Sequence, residues 1–291
     1  MRSDSTERHG HFLAYWQLTK PRLWIMLTYT AGIGFLASLK VQTASWVSGL
    51  VIVTAVALGT SGANVVTCFI DRDIDSIMER TKKRPLPSGL VAPPSKALTL
   101  GLILMASSLA LLFLFSMFAS AAIGIFGMVD NIAVYSAWLK RKSPLNIILG
   151  GFSGGAPVVA GWAANSNPIS PVPILMAAVV VLWIPSHIWS LALRWRDDYA
   201  KAGVPMLTVV VHPKNAMRCV ASTSVLMFVF SLLLFVYGPF GLLYLGIAVV
   251  AGSVLLILTL RMVLAPDGEA PFILFKFTSP YLALILTAMV V

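Results

Sequence analysis

Charge is what this sequence has least of. Only 11% of its 291 residues are Asp, Glu, Lys or Arg, where a soluble domain of this length carries roughly a quarter. That shortage excludes a soluble globular enzyme. Cysteine is nearly absent too. Cys68 and Cys219 are the two present; both fall near the same predicted side of a membrane, so a disulfide is not expected. No CxxC metal pair and no CxxCH haem-attachment motif exists. The polar opening segment, residues 1–20, has no signal-peptide pattern.

Apolar sequence is abundant instead. Hydrophobic residues make up 58% of the chain and the mean hydropathy is +0.87. Apolar runs of about 17 to 25 residues, long enough to cross a bilayer core as helix, recur along the whole length. The expected fold is all-α: one polytopic membrane domain over 1–291, with about nine transmembrane helices. The spans are predicted at 22–39, 46–68, 97–115, 118–138, 145–164, 172–193, 218–237, 240–262 and 272–291. Prolines and Gly238-Pro239 punctuate the seams, as expected of residues that end or interrupt helices.

Counting basic residues loop by loop sets the orientation. All but one of the 21 Lys and Arg residues fall on one side of that topology, with Lys40 alone opposite. The arrangement predicts a multi-pass plasma-membrane protein with a cytoplasmic N-terminus. It also accounts for the net charge of +10 through topology and attraction to lipid headgroups, so no nucleic-acid partner is implied.

Two cytoplasmic loops, 69–96 and 194–217, are long and charged, whereas the opposite side offers short connections. Chemistry is therefore expected between those loops. In CFIDRDIDSIMERTKKR, residues 68–84, four carboxylates and five basic residues arrive within Asp71–Arg84. If helix 2 continues through this loop, Asp71 and Asp75 stand one turn apart on one face. Asn64 then lies within about 20° of Asp71, and Asp73 points away. Two carboxylates beside an amide suit a divalent cation, and Mg²⁺ uses one or two carboxylates plus phosphate oxygens. Arg80, Lys82, Lys83 and Arg84 follow, on a loop turned by PLPSG, as cations for a diphosphate. The alternative is a solvated juxtamembrane helix with internal salt bridges.

The second loop repeats the pattern. On a continuous helix His187, Arg194 and Asp198 share one face, with Asp197 rotated by about 80°. Intramembrane ionisable groups are functional candidates by default, which covers His187 and also Asp130 in GMVDNIAVY. The small residues of NIILGGFSGGAPVVAGW suit close helix packing or a backbone surface for a flat substrate.

Three motifs in order carry a resemblance. DRDIDSIMERTKKRPLPSG at 71–89 resembles the first aspartate-rich motif of the UbiA superfamily of intramembrane prenyltransferases. YSAWLKRKSPLNIILGGFSGGAPVVAGW at 135–162 and SHIWSLALRWRDDYAKAGVPML at 186–207 resemble the branch of that superfamily whose acceptor is haem b. The likeness spans about 15–210; the last three spans match only as hydrophobic helices. It implies helices around a central cavity, with Mg²⁺ as cofactor. The implied reaction is farnesyl transfer from farnesyl diphosphate to a haem b vinyl group, giving haem O, with haem b a substrate rather than a cofactor.

By the same resemblance Asp71 and Asp75 form the first metal-binding motif, and Asp197 and Asp198 the second, with Asp198 a metal ligand. Arg80, Arg84 and Lys140 become diphosphate contacts, and His187 a haem contact. Arg194 opens the second motif where quinone-type relatives carry an aspartate. Thr67 stands where the family usually has asparagine, so the amide role passes to Asn64. Tyr135, Trp138 or Trp189 would face the allylic cation. The implied partners are the lipid bilayer, the two substrates and a downstream haem-modifying membrane enzyme. Two alternatives stand beside this reading: a related prenyltransferase acting on an aromatic, quinone-precursor or glycerol-phosphate acceptor, and a non-enzymatic membrane transporter.

Overall fold

A computed structural model describes residues 12–264 and 269–291, and among them every regular element is helical. Nine principal helices follow one another. They are α1 Pro21–Ser38, α2 Trp46–Ile70, α3 Ser95–Leu114 and α4 Phe118–Val129, then α5 Phe152–Ala163, α6 Pro171–Arg194, α7 Pro213–Tyr237, α8 Leu242–Leu264 and α9 Ala270–Ala288. Pro21, Pro171 and Pro213 occupy first helical positions, where the missing N–H has no intrahelical partner to lose. Seven helices among the described residues are long and apolar enough to cross a membrane. The chain is a multi-pass membrane protein.

Two predicted spans fall outside those seven. α1 has 18 residues. The span expected at 145–164 is broken into Asn146–Leu149 and α5, with Gly150 and Gly151 between them. α4 also departs from a plain helix, because it widens to π geometry over Asp130–Trp138. Such widening frequently marks a functional site.

Burial identifies the organising helix. In α2, 67% of the apolar window is enclosed by protein, against 22% for α3. α2 therefore runs through the bundle and delivers its C-terminal end, Asp71, to the interior. Leu50, Leu114, Leu242, Val250 and Leu264 are exposed, an outward apolar surface that suits lipid contact.

α1 packs on α2 and α5, α2 on α3, α4 on α5, and α5 on α6, while α6 to α9 pack among themselves. Tyr29 closes the ring, donating to the Ala283 carbonyl at 3.1 Å and sharing a 2.6 Å bond with Thr287. Residues 12–18 are helical, and Ala14 and Leu18 pack beneath the first charged loop with Val65, Leu86 and Val91.

The α1–α5 contact is a backbone approach. A Cβ on Gly161 would run into the Ala31 carbonyl, and one on Gly34 into that of Val158. Gly161→Ala is expected to lower Tm by about 5 °C, since only main chain can move aside. Gly246→Ala in α8, where a Cβ meets nothing within 4 Å, should leave Tm unchanged or raise it. Thermal unfolding in detergent checks the pair.

Candidate functional site

α2 ends at Ile70, and Asp71 caps it with φ −84° and ψ 1°. The chain then makes the short helix Arg72–Ile77. The Asp75 N–H donates to the Asp71 carbonyl at 2.8 Å, so the one-turn spacing survives although helix 2 does not continue unbroken. Both carboxylates are buried.

Each has one cation. Asp71 Oδ2 lies 2.6 Å from Lys140 Nζ, and Asp75 Oδ2 lies 2.8 Å from Arg84 Nη1. Asp71 Oδ1 is buried without a hydrogen-bond partner. A buried carboxylate oxygen so placed wants a further cation. Two adjacent carboxylates with one such oxygen fit Mg²⁺, which completes its shell with phosphate oxygens. No group of three His, Cys, Asp or Glu side chains gathers for a metal among the described residues.

Asp73 points away, as expected, and its partner comes from a distant part of the chain. Arg141 grips both its oxygens at 2.7 Å and also donates to the Ile70 carbonyl at 3.0 Å. That clamp ties the end of α4 to the end of α2 and sets Lys140, one residue earlier, beside Asp71. The Arg141 hydrogen bonds hold the Asp73 carboxyl down from its ordinary 3.8 to about 2. A depressed carboxyl contributes stability that is whole above about pH 4 and lost as pH falls through 2. The Tm difference between wild type and Arg141→Gln should therefore stay constant from pH 8 to 5 and shrink only below pH 4. Because the pair is partly exposed, that difference should be small.

The second loop meets the first. Asp198 is buried, its Oδ1 accepting from Glu79 N at 2.8 Å and its Oδ2 from Arg80 N at 3.4 Å. Arg80 Nη2 donates to Tyr199 OH at 3.2 Å. Asp71 and Asp198 thus stand at one end of the bundle, but Asp198 holds loop backbone rather than joining a three-carboxylate cluster. Asp197 is exposed.

Asp198 leaves the face that His187 and Arg194 share, because α6 stops at Arg194 and Trp195 turns the chain into the short helix Arg196–Lys201. Arg194 is exposed, lies 3.3 Å from Glu269 and covers the Phe272 ring at 4.1 Å. It is not brought to the carboxylates.

Behind them lies a cavity of about 280 Å³, lined by residues that include Asn64, Asn131, Tyr135, Trp183 and His187. Tyr135 joins cavity and charge, with Lys140 Nζ 5.9 Å from its ring centre. Trp138 is exposed and Trp189 is buried outside the cavity lining, so neither fills the role expected of it. Trp183 was not anticipated; it stacks on His187 at 4.7 Å, and Phe275 covers His187 at 4.3 Å.

Asn64 Nδ2 donates to the Thr19 carbonyl at 3.0 Å. Thr67 donates to the Asn64 carbonyl and accepts from Lys20 Nζ at 3.1 Å. Lys20, with a left-handed φ of 52° before Pro21, thus adds a cation one turn back from Asp71. Only its place in a basic, proline-ended segment marked it in the sequence.

His187 Nδ1 lies 2.7 Å from Thr278 Oγ1, whose own proton goes to the Phe275 carbonyl at 2.8 Å. A Thr278 hydroxyl that gives its proton to that carbonyl accepts from Nδ1, and this tautomer keeps the lone pair of the neutral ring on Nε2. Asn131 Oδ1 and Trp183 Nε1 are buried cavity-lining residues' atoms without hydrogen-bond partners. At the start of the π segment, Asp130 accepts from Ser153 N at 2.8 Å and so caps the start of α5.

Comparison with known proteins adds to this geometry. Residues 25–281 match the model of the UbiA prenyltransferase family. Protoheme IX farnesyltransferase of Desulforudis audaxviator (strain MP104C) is 45% identical over 282 residues, covering 96% of this chain and 87% of that protein. The protein of that name from Thermoplasma volcanium is 41% identical, covering 93% and 94%. A digeranylgeranylglyceryl phosphate synthase structure superposes with a TM-score of 0.79 at 20% identity, covering 96% and 97%. A UbiA homologue from Archaeoglobus fulgidus bound to GPP and Mg²⁺ gives 0.62 at 17%, covering 96% and 100%; these two likenesses concern the fold.

Proposed function

The chain belongs to the UbiA prenyltransferase family, and from that premise we propose that it transfers a farnesyl group from farnesyl diphosphate to a vinyl group of haem b, giving haem O. The observation that carries this reading is the junction at Tyr135. A buried carboxylate pair with its cations lies on one side of it, and an apolar cavity on the other. An allylic diphosphate is divided in the same way, into a charged head and a greasy tail.

The whole chain acts as one unit, with 69–96 and 194–217 as its catalytic loops. It sits in the plasma membrane with those loops and the N-terminus on the cytoplasmic side, supported by the one-sided distribution of Lys and Arg. Asp71 and Asp75 would hold Mg²⁺, which supplies charge neutralisation for the departing diphosphate. Arg80, Arg84, Lys140 and Lys20 would donate to its oxygens, a set of cations for the developing negative charge. When the allylic C–O bond breaks, the cavity wall excludes water from the farnesyl cation, and the Tyr135 face stabilises it. A haem vinyl carbon then forms the new C–C bond, and water adds its hydroxyl to the resulting cation and gives up a proton.

His187 faces the acceptor. With Nδ1 fixed by Thr278, Nε2 is the nitrogen offered to haem or to that water, and a fixed second nitrogen is what orients a ligating imidazole. Trp183 and Phe275 pack on the His187 ring and hold it at the cavity wall, with its edge available to a planar substrate. The farnesylated product stays membrane-bound, where a further haem-modifying enzyme can receive it.

Purified protein given farnesyl diphosphate and Mg²⁺ is expected to prenylate haem b and to stop when the metal is chelated. A prenylated product from 4-hydroxybenzoate, with none from haem, would replace the acceptor and favour the quinone-precursor alternative.

A further inference from the structure

Resting on the reading of Asp71 and Asp75 as the metal-binding carboxylates, we infer that Lys140 is an exchangeable counter-cation. It holds Asp71 against a bare divalent ion and moves to the diphosphate when ion and substrate arrive together. The enzyme thereby takes up the two as a pair.

The argument begins with charge balance. Asp71 and Asp75 face Lys140 and Arg84 at 2.6 and 2.8 Å, so the charges of these four side chains balance. The side chains of Asp71 and Lys140 are only 4% and 14% exposed, so water screens the pair weakly. A bare divalent ion would add two positive charges to this neutral set. A divalent ion carried by a diphosphate brings net negative charge instead, and gives the displaced ammonium somewhere to go.

The pair is also built to open on one side. Lys140 engages Oδ2 of Asp71, while Oδ1 is buried with no partner. The carboxylate can therefore begin to accept a second cation before it releases the first. Lysine suits the exchange, being a point charge on a flexible stem rather than a planar fork fixed to one carboxylate. Its neighbour shows the contrast. Arg141 is locked bidentately on Asp73 and onto the Ile70 carbonyl, which anchors the backbone so that the swing belongs to the Lys140 side chain alone. The Tyr135 ring 5.9 Å from Nζ offers that ammonium a second favourable face as it leaves Asp71.

Full-length protein in detergent, titrated with Mn²⁺ and followed by electron paramagnetic resonance, tests this with and without farnesyl thiodiphosphate, which does not react. Wild type should bind Mn²⁺ weakly alone and at least about tenfold tighter with the analogue. Lys140→Met should bind Mn²⁺ alone about tenfold tighter than wild type, and the analogue should add correspondingly less. A gain of affinity is not what a damaged fold produces; Lys140→Gln carries the same test if the methionine variant is not recovered folded.

Unchanged or weaker Mn²⁺ binding in these variants overturns the exchange. Asp71→Asn separates that failure from failure of the underlying reading. If it leaves Mn²⁺ binding with the analogue at the wild-type level, Asp71 is no ligand and both readings fall. If it removes binding while the Lys140 variants show no gain, only the exchange falls.

Discussion

Asp71→Asn and Asp75→Asn should each reduce farnesyl transfer by about a thousandfold or more, the scale on which preorganised electrostatic groups act, while both proteins remain folded in the membrane. Asparagine keeps the volume and one acceptor oxygen, so the change isolates charge. The two variants should differ in stability. Asp71→Asn leaves the Lys140 ammonium, 14% exposed, beside a neutral amide, and an uncompensated buried cation destabilises strongly. Asp75→Asn strands Arg84, which is 33% exposed and can turn to water. Tm should therefore fall further for Asp71→Asn. Adding Lys140→Met to Asp71→Asn removes the stranded charge and should restore Tm without restoring turnover, which divides folding from chemistry. Near-normal turnover in either single variant would defeat the assignment of these carboxylates to the metal.

Much of this protein can be read from sequence because a bilayer imposes a simple rule. Backbone polar groups in lipid must be paired within helices, so apolar runs of sufficient length mark the helices and charge marks the loops. The order of elements and the end of the bundle where charges gather follow from that rule alone. The helical wheel also placed Asp71 and Asp75 one turn apart, a spacing that survives the break at Asp71.

It failed across Trp195, where α6 ends and the next turn starts in a new direction. Arg194 consequently meets Glu269 and Phe272 instead of Asp198. Pairings between distant loops, such as Arg141 with Asp73, leave no local periodicity to find. Thr278 and Phe275 are harder still to foresee. They lie in a helix whose sequence says only that it is apolar, yet they hydrogen-bond and cover the ring of His187. The break at Gly150-Gly151 and the π turn from Asp130 were likewise hidden inside runs of hydrophobic and small residues.

Asp198→Ala is expected to lower kcat/KM by about a hundredfold, and the conservative Asp198→Asn by only about tenfold. The reason lies in what the carboxylate holds. Its two oxygens accept from the backbone N–H groups of Glu79 and Arg80, and alanine would leave both donors without partners in a buried place, a loss of about 1–3 kcal/mol for each. Arg80 then loses the position from which it meets Tyr199, and the loop carrying Arg84 is freed with it. Limited proteolysis should accordingly open residues 79–90 in the alanine variant and spare them in the asparagine variant, which still offers one acceptor oxygen. A direct metal ligand behaves differently, because removing its charge is as damaging as removing its side chain. Equal losses of a thousandfold in Asp198→Asn and Asp198→Ala, with the loop intact to protease in both, would move Asp198 from brace to ligand.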